Sequence, residues 1–280
     1  MSKTTDHTSR QRESTRGIYH SHSVFSYDGE KTLDEIADWA RSHGLSFVVL
    51  TEHDAGFCEQ KFQRYLAQCR GNDKITFIPG MEYSFRIDDR EIHIGVVGIE
   101  TFFDLPKTGM AIQPFLEAVR KQGGFSILHH PSRVIGDFGN ETLQGFDFIE
   151  AWNLRHDIRY APNRGIVAQA KRADFKGRFL ASRDTHGFRE KDRFPAIEMR
   201  REGTALSEKA ILSSLAGGEY KLFTKGWDLR PDGTFKPRHR LFGFLPRLSL
   251  IHHNFYEMAR RLYKRGVKVP PPKWLVKMMK

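Results

Sequence analysis

Apolar positions change period repeatedly between residue 17 and about residue 223, from the continuous or alternating pattern of strands to the spacing of helices. The segment TLDEIADWARSHG shows the helical spacing, with apolar residues at Leu33, Ile36, Ala37 and Ala40. Thr32 and Glu35 are placed as a capping box at its start, and Gly44 is placed as its stop. The pattern predicts an amphipathic helix here.

The same alternation continues through the following segments. Strand-type segments are SFVVLTEHD, ITFIPGMEYSF, EIHIGVVGIE, FSILHHPSR, FDFIEAWN and FLASRDTHG. Helical segments are EQKFQRYLAQCRG, AIQPFLEAVRKQGG, APNRGIVAQAKRADF and LSEKAILSSLAGG. A turn at Asp88 and Asp89 joins two of the strands. Together with GIYHSHS these segments predict about seven strands in a parallel sheet with helices outside it, as a barrel or an open doubly wound sheet.

Composition narrows the class of protein. A chain of 280 residues can bury a large core as one domain, and an α/β barrel fits that length. The two cysteines, Cys58 and Cys69, exclude a disulfide scaffold or a zinc ribbon and suit a reducing cytoplasm. The polar N-terminus lacks the apolar core of a secretory signal, and no apolar run is long enough to span a membrane. We therefore expect a cytoplasmic protein.

The net charge of +11 is concentrated near the C-terminus. Residues 221–280 hold 15 Lys and Arg against 3 Asp and Glu, so the rest of the chain is nearly neutral. Aromatic and aliphatic residues are interleaved with these basic residues, and two interpretations are open. In the first, the apolar residues pack on the preceding domain. In the second, residues 241–280 bind an anionic partner, which is either a membrane surface, with the segment as a peripheral anchor, or nucleic acid.

Side chains that can bind metals stand at the ends of the predicted strands. They are His20, His22, Glu52, His53, Asp54, Glu82, His93, His129, His130, Asp184 and His186. Residues i and i+2 of a strand point to the same face, so His20 and His22 can bind one ion together. Active sites in such folds form at the carboxyl ends of strands. Imidazole and carboxylate ligands without thiolates suit Zn, Mn or Fe, and the set predicts metal-assisted hydrolysis.

Not every histidine fits this pattern. His129 and His130 alternate across their strand, so only one of them is expected to face the metals. The others have no comparable partners, and we interpret them as structural or solvent-exposed: His43, His156, His239, His252 and His253.

Six motifs in this order and spacing resemble the PHP family, the polymerase and histidinol phosphatase superfamily: HSHSVFSYDG, TEHD, PGMEY, IHIG, HHPSR and SRDTHG. The resemblance covers residues 17 to about 223. It implies an α/β fold, a distorted seven-stranded (β/α)7 barrel whose cleft holds two or three divalent metal ions (Mn, Zn or Fe). We thus predict a disordered N-terminus at 1–16, a phosphoesterase barrel at 17–223 and a basic, aromatic-rich C-terminal extension at 224–280.

The resemblance also implies a set of ligands for each ion. The first ion is held by His20, His22, Glu82 and Asp184; the second by the bridging Glu82 with His93 and His130; the third by Asp28, His53 and His186. Asp28 stands where some members of the family have His, and Arg183 precedes Asp184 where a smaller residue is usual. A carboxylate at position 28 favours harder ions.

The mechanism implied is attack of a metal-bridging hydroxide on phosphorus, with Glu82 and Asp184 as catalytic metal ligands. Arg133 follows the His130-Pro131-Ser132 segment and is placed to bind phosphate bidentately in the reaction. Arg183 and Arg155 are weaker candidates for binding the substrate. The expected substrate is a small phosphorylated compound or a short oligonucleotide.

Two other functions compete with this prediction. An amidohydrolase also carries H-x-H on its first strand, but it typically has a bridging lysine, and the strand ends here carry Glu82 and His93 instead. The second alternative is a metal-stabilised scaffold whose basic extension binds membrane or nucleic acid.

Overall fold

The computed structural model describes residues 14–87, 90–105, 109–157, 161–200 and 206–240. The strands are β1 Ser14–Ser21, β2 Phe47–Leu50, β3 Glu52–His53, β4 Thr76–Ile78, β5 Gly80–Ile87, β6 Arg90–Val97, β7 Phe125–Leu128, β8 Phe148–Asn153, β9 Arg178–Ser182, β10 Ala196–Arg200, β11 Tyr220–Phe223, β12 Trp227–Leu229 and β13 Phe235–Pro237. The helices are α1 Leu33–Ser42, α2 Glu59–Arg70, α3 Ile112–Lys121, α4 Asn140–Gln144, α5 Arg164–Arg172 and α6 Glu208–Gly217, with 3-10 turns at Pro131–Arg133 and Ile135–Asp137.

The strands form two mixed sheets, which confirms the predicted α/β class. One sheet has seven strands in the order β13-β12-β11-β10-β1-β2-β4, and the other has six in the order β3-β5-β6-β7-β8-β9. Strands β5 and β6 pair antiparallel, as do β6 and β7, so the sheets are not the uniformly parallel arrangement that the alternation predicts. Two residues separate β5 from β6, which is enough for a hairpin but too short for a parallel crossover.

A closed seven-stranded barrel is not confirmed. Between β1 and β9 the described residues show one isolated parallel bridge, Ser21 with Thr185, instead of a continuous ladder. Backbone hydrogen bonds from His22 N to Thr185 O (2.8 Å) and from Thr185 N to His20 O (3.0 Å) hold this junction. The two sheets therefore meet at the end of β1, beside the metal-binding side chains.

Helix α1 shows why these residues form these elements. The Thr32 side chain accepts from Glu35 N, and the Glu35 carboxylate accepts from Thr32 N at 2.9 Å, so the predicted capping box is present. Gly44 follows the helix with φ at +67°, a conformation that favours glycine. The helix buries its four predicted apolar residues, Leu33, Ile36, Ala37 and Ala40, and each large aliphatic side chain so buried contributes about 1.5–3 kcal/mol.

Beyond residue 223 the sheet continues into β12 and β13, and Trp227 is buried in the core. Residues 1–13 and 241–280 lie outside the described part of the chain, as does the turn at Asp88 and Asp89. Within the described part, no helix is both long enough and apolar enough to cross a membrane.

Candidate metal centre

Three of the predicted ligands adopt an unusual backbone conformation at strand ends. His20, His130 and Asp184 have positive φ angles of 63°, 26° and 58°. Non-glycine residues in this region cost about 1–3 kcal/mol each and concentrate at functional sites. Because His20 departs from extended geometry, simple strand alternation does not explain how His20 and His22 come together. Both approach Asp184, at 3.5 and 3.3 Å from its Oδ1.

Glu82 lies at the centre of the cluster and is almost completely buried. Its Oε1 is 2.7 to 3.5 Å from nitrogens of four imidazoles: His20, His93, His129 and His130. Its Oε2 is 3.3 Å from His53 Nδ1 and 3.5 Å from His22 Nε2. The two oxygens of one carboxylate therefore face different groups of ligands, which is the arrangement that a bridging ligand needs.

Asp28 completes a neighbouring group. Its carboxylate is 3.0 Å from His186 Nε2 and 3.5 Å from His53 Nε2. The rings of His53 and His186 each stack on the ring of His22. The loop after β1 thus brings Asp28 back to the ligands at the ends of β1, β3 and β9.

Four overlapping groups in the described residues have the spacing to hold an ion. They are His20-Glu82-His129-His130, His22-Asp28-His53-His186, His20-His22-Asp184 and His130-His156-Asp184. All nine predicted ligands lie in this cluster, although His93 belongs to none of the four groups. The described carboxylates that His93 approaches are those of Glu82 and Glu91, and its ring lies 5.0 Å from that of His130. The antiparallel direction of β6 brings His93, from the first half of that strand, to the same edge as the ends of its neighbours.

Unpaired polar atoms show that the cluster fits metal ions. Buried atoms without a well-directed hydrogen bond include His20 Nε2, His22 Nε2, Asp28 Oδ1 and Asp184 Oδ1. Buried polar groups normally find partners, and leaving one without a partner is unfavourable. These four atoms all belong to predicted ligands, so a bound cation would give each of them a partner.

The protonation states suit the same role. Burial lowers the pKa of His22 to about 3 and that of His129 to about 4, so these imidazoles are neutral at neutral pH. Burial opposes ionisation of Glu82, but the charge of His20 and the hydrogen bonds from His129 and His130 outweigh burial and hold the pKa of Glu82 well below its usual value. His20 differs, because Asp184 and Glu150 raise its pKa despite burial. Neutral imidazoles beside ionised carboxylates are the forms that bind metals.

Comparison with protein families identifies the chain. The model of the PHP domain family matches residues 19–183. The chain belongs to the PHP domain family. The match contains the first seven of the nine predicted ligands along the chain and stops just before Asp184. Membership agrees with the prediction of a metal-dependent phosphoric ester hydrolase.

Solved structures show weaker likenesses. A protein of Bifidobacterium adolescentis named as a metal-dependent phosphoesterase has a TM-score of 0.47 and 15% identity, covering 71% of this chain and 94% of its own. An amidohydrolase of Chromobacterium violaceum with bound sulfate has a TM-score of 0.45 and 17% identity, covering 61% and 87%. Histidinol phosphate phosphatase of Lactococcus lactis, with zinc, L-histidinol and phosphate, has a TM-score of 0.39 and 17% identity, covering 75% and 97%. No curated protein matches.

Two histidines of this PHP domain enter the cluster without having been predicted as ligands. His129 Nδ1 is 2.7 Å from Glu82, while its Nε2 is bonded to the hydroxyl of Tyr19. His156 Nε2 is 3.0 Å from Asp184 Oδ2, and its ring stacks on His130. Both neighbours His129 and His130 therefore approach Glu82, contrary to the expectation that only one would. His156 follows the end of β8, and that position was the signal that could have found it.

Two buried glutamates support the ligands from behind. Glu150 accepts hydrogen bonds from His130 N (2.6 Å) and Asn153 Nδ2 (2.9 Å) and pairs with His20 Nδ1 (3.1 Å). Glu52 accepts from Ser23 N, from the Ser23 hydroxyl and from the Ser26 hydroxyl. Such contacts fix the orientation of ligands and tune metal binding. In the sequence, Glu150 could have been noticed as a charged residue inside the otherwise mainly apolar run FIEAWN.

The three predicted arginines have different surroundings. Arg155 is half exposed, with Nη1 2.6 Å from His186 Nδ1 and 3.6 Å from Asp184 Oδ1. Arg183 instead pairs with Asp192 at 2.7 Å and donates to the Arg193 carbonyl. The side chain of Arg133 lies outside the described part of the structure; its backbone ends a 3-10 turn. Of the two described guanidinium groups, only that of Arg155 reaches the ligands.

An open cleft of about 1010 Å³ adjoins the cluster at His53 and His93. Aromatic side chains contribute much of its lining: Tyr27, Phe57, Phe85, Phe102 and Phe138. The cleft gives a substrate access to the metal-binding side of the PHP domain.

Proposed function

We propose that this PHP domain is a metal-dependent phosphoesterase that hydrolyses a phosphomonoester or a nucleotide-type phosphoester at a multinuclear metal centre. The observation that carries the proposal is the position of Glu82. Its two oxygens lie within 3.5 Å of imidazole nitrogens from six histidines, and four of the surrounding ligand atoms have no well-directed hydrogen bond.

The proposed ligands follow the family pattern. His20, His22, Glu82 and Asp184 hold one ion; Glu82, His93 and His130 hold another; Asp28, His53 and His186 hold a third. His129 and His156 are additional candidates, since each contacts one of the carboxylates in the cluster. When bound, Mn, Zn or Fe would supply Lewis acidity, which lowers the pKa of water and neutralises phosphoryl oxygens.

The chain's own residues then position the ester. Arg155 is placed to donate to phosphoryl oxygens, because its guanidinium already lies beside His186 and Asp184. Arg133 remains a predicted catalytic and phosphate-binding residue. The pairing of Arg183 with Asp192 favours a structural role over its predicted role in substrate binding.

One observation weighs against the amidohydrolase alternative. In the described part of the chain, no lysine pairs with Glu82 or Asp184, whereas histidines surround both carboxylates. The scaffold alternative concerns residues 241–280, which lie outside the described residues. Binding of a membrane surface or nucleic acid by this basic extension, a cytoplasmic location and the domain limits 17–223 and 224–280 stay predictions.

The test is a turnover screen with the full chain. Protein loaded separately with Mn, Zn and Fe is assayed on p-nitrophenyl phosphate, phosphorylated metabolites, short oligonucleotides and cyclic amides, with metal content measured by elemental analysis. We expect phosphate release that chelation abolishes and at least two ions per active chain. Hydrolysis of amides alone, or no turnover with any ion, would contradict the proposal.

A matched pair of arginine variants refines the test. Arg155→Met should raise KM for the phosphoester by about tenfold, because a charge-assisted hydrogen bond to phosphate is lost. Arg183→Met should change KM by less than twofold or so, because that side chain is already paired. Deleting residues 241–280 should leave turnover intact while reducing any binding to anionic vesicles or nucleic acid.

A further inference from the structure

The cleft beside the metal cluster is larger than a phosphoryl group requires. Its volume of about 1010 Å³ is at the upper end of the range of about 300–1,000 Å³ in which pockets enclose drug-sized ligands. It meets the cluster at His53 and His93, which approach opposite oxygens of Glu82. A phosphoryl group at the cluster would therefore direct the rest of its ester into this cleft.

The lining of the cleft has a marked chemical character. Beside its aromatic residues it contains Ile87, Leu105, Met110 and Ile112. Among the described residues that line it, the charged groups other than the two histidines are the carboxylates of Asp54, Glu91 and Asp104 and the guanidinium of Arg86. Apolar and aromatic walls favour a planar apolar group, and the excess of carboxylates disfavours a second phosphate there.

Tyr27 stands out on the rim of this cleft. Its side chain is 74% exposed, and the described large hydrophobic residues that are exposed are Tyr27 and Val24, both on the loop after β1. The Tyr27 ring lies on the His53 ring with centroids 4.9 Å apart and planes inclined by 24°. One face of the ring is thus covered by a proposed metal ligand, and its exposure leaves the remainder of the ring open to the cleft.

We infer that the substrate is a phosphomonoester whose alcohol carries a planar aromatic ring and no second phosphate, and that Tyr27 is a specificity-determining residue that stacks on this ring. The inference rests on the proposed phosphoesterase function and narrows its substrate class. An aryl alcohol and a nucleoside both present such a ring, and the experiment separates them.

The experiment measures equilibrium binding to the metal-loaded full chain by calorimetry, using phosphonates that cannot be hydrolysed. The matched probes are 2-phenylethylphosphonate and 2-cyclohexylethylphosphonate, which differ in the planarity of the ring. The native chain should bind the phenyl compound about fivefold more tightly, as expected for an aromatic pair. Tyr27→Leu should reduce this ratio to about one, whereas Tyr27→Phe should retain it. Val24→Ala, on the same loop and outside the cleft lining, should also retain it.

Two further probes define the class. A nucleoside 5′-phosphonate that binds more tightly than the phenyl compound, again through Tyr27, assigns the ring to a nucleobase, and the reverse order assigns it to an aryl alcohol. A second phosphonate on the phenyl ring should weaken binding by at least about threefold. Equal or tighter binding of that compound would overturn the assignment of one phosphate.

Failure of this inference differs from failure of the proposed function. A phenyl to cyclohexyl ratio near one in the native chain, or a ratio that survives Tyr27→Leu, overturns the inference even if phosphate esters are hydrolysed. If the preference depends on Tyr27 but the corresponding phosphates are never hydrolysed with Mn, Zn or Fe, the binding site stands and the phosphoesterase proposal fails.

Discussion

Glu52 and Glu82 are two fully buried carboxylates on adjacent strands, and the molecule treats them in opposite ways. Glu52 accepts hydrogen bonds from the backbone N of Ser23, at 3.0 and 3.1 Å from its two oxygens, and from the hydroxyls of Ser23 and Ser26. Glu82 is surrounded by imidazoles. Burial alone therefore does not identify a metal ligand; the partners of the buried carboxylate distinguish the two.

The charges of the two groups follow their partners. Burial raises the pKa of Glu52 to about 7, even though its hydrogen bonds oppose the shift. The pKa of Glu82 is held well below its usual value, because His20 and His129 outweigh the effect of burial. The Glu52 cluster holds the loop that leads to Asp28, and the Glu82 cluster is suited to binding cations.

The largest expected effect is loss of turnover when the centre loses a ligand. Glu82→Gln, Asp184→Ala and His22→Ala should each lower turnover by about 10³-fold or more, because each removes a proposed ligand. Metal content measured by elemental analysis should fall in parallel. Glu52→Gln is the matched control: it should keep its metal and most of its activity. Equal losses in Glu52→Gln and Glu82→Gln would contradict the contrast between the two carboxylates.

Removing the metal should distinguish the Glu82 cluster from the Glu52 cluster by the effect on the stability of the fold. Chelation should lower the melting temperature, and adding back an ion at about 100 times its Kd should restore about 2.7 kcal/mol of unfolding free energy. The native chain and Glu52→Gln should both respond when followed by thermal unfolding. Glu82→Gln should respond much less, and a full response in that variant would show that Glu82 is dispensable for binding.

Glu52→Ala should destabilise the fold by about 1–3 kcal/mol, because three donors from Ser23 and Ser26 lose their acceptor. Urea unfolding of metal-free protein measures this loss without a contribution from bound ions. Ser26→Ala is the graded comparison and should cost less, since it removes a single hydroxyl that also accepts from His53 N. If Glu52→Ala were as stable as the native chain, the loop would be held by other contacts.

The last expected effect is a pH dependence of stability with a defined sign. The folded pKa of Glu52, about 7, lies above its usual 4.5, so between these pH values the folded state binds the extra proton. Its contribution to stability is therefore present below pH 4.5 and is lost as the pH rises to about 7. Urea unfolding of metal-free native protein and Glu52→Gln should show the native chain losing stability relative to the variant over this window. A difference that does not vary with pH would contradict the raised pKa.

Much of this arrangement could be predicted from the sequence. The capping box at Thr32 and Glu35, the α/β class and the position of metal-binding residues at strand ends follow from local patterns. His93 could be placed at the same edge because its segment and the one before it form a strand pair. These features depend on nearby residues, whose spacing the sequence displays directly.

Other features depend on contacts between distant segments. The approach of His156 to Asp184 joins the turn after β8 to the segment after β9. Arg183 looks available in sequence but is paired with Asp192 on a later loop. Closure of a barrel depends on the contact between β1 and β9, which is limited to a bridge in the described residues. No local pattern specifies these long-range contacts.

The bridge between Ser21 and Thr185 also bears on the order of events in folding. It joins the first described strand to a segment far along the chain, and such contacts form slowly because a long loop must close first. Ligands from both segments come together only when this junction forms. We therefore expect bound ions mainly to slow unfolding, with little effect on the rate of folding. The metal centre would then contribute to the kinetic stability of the folded protein.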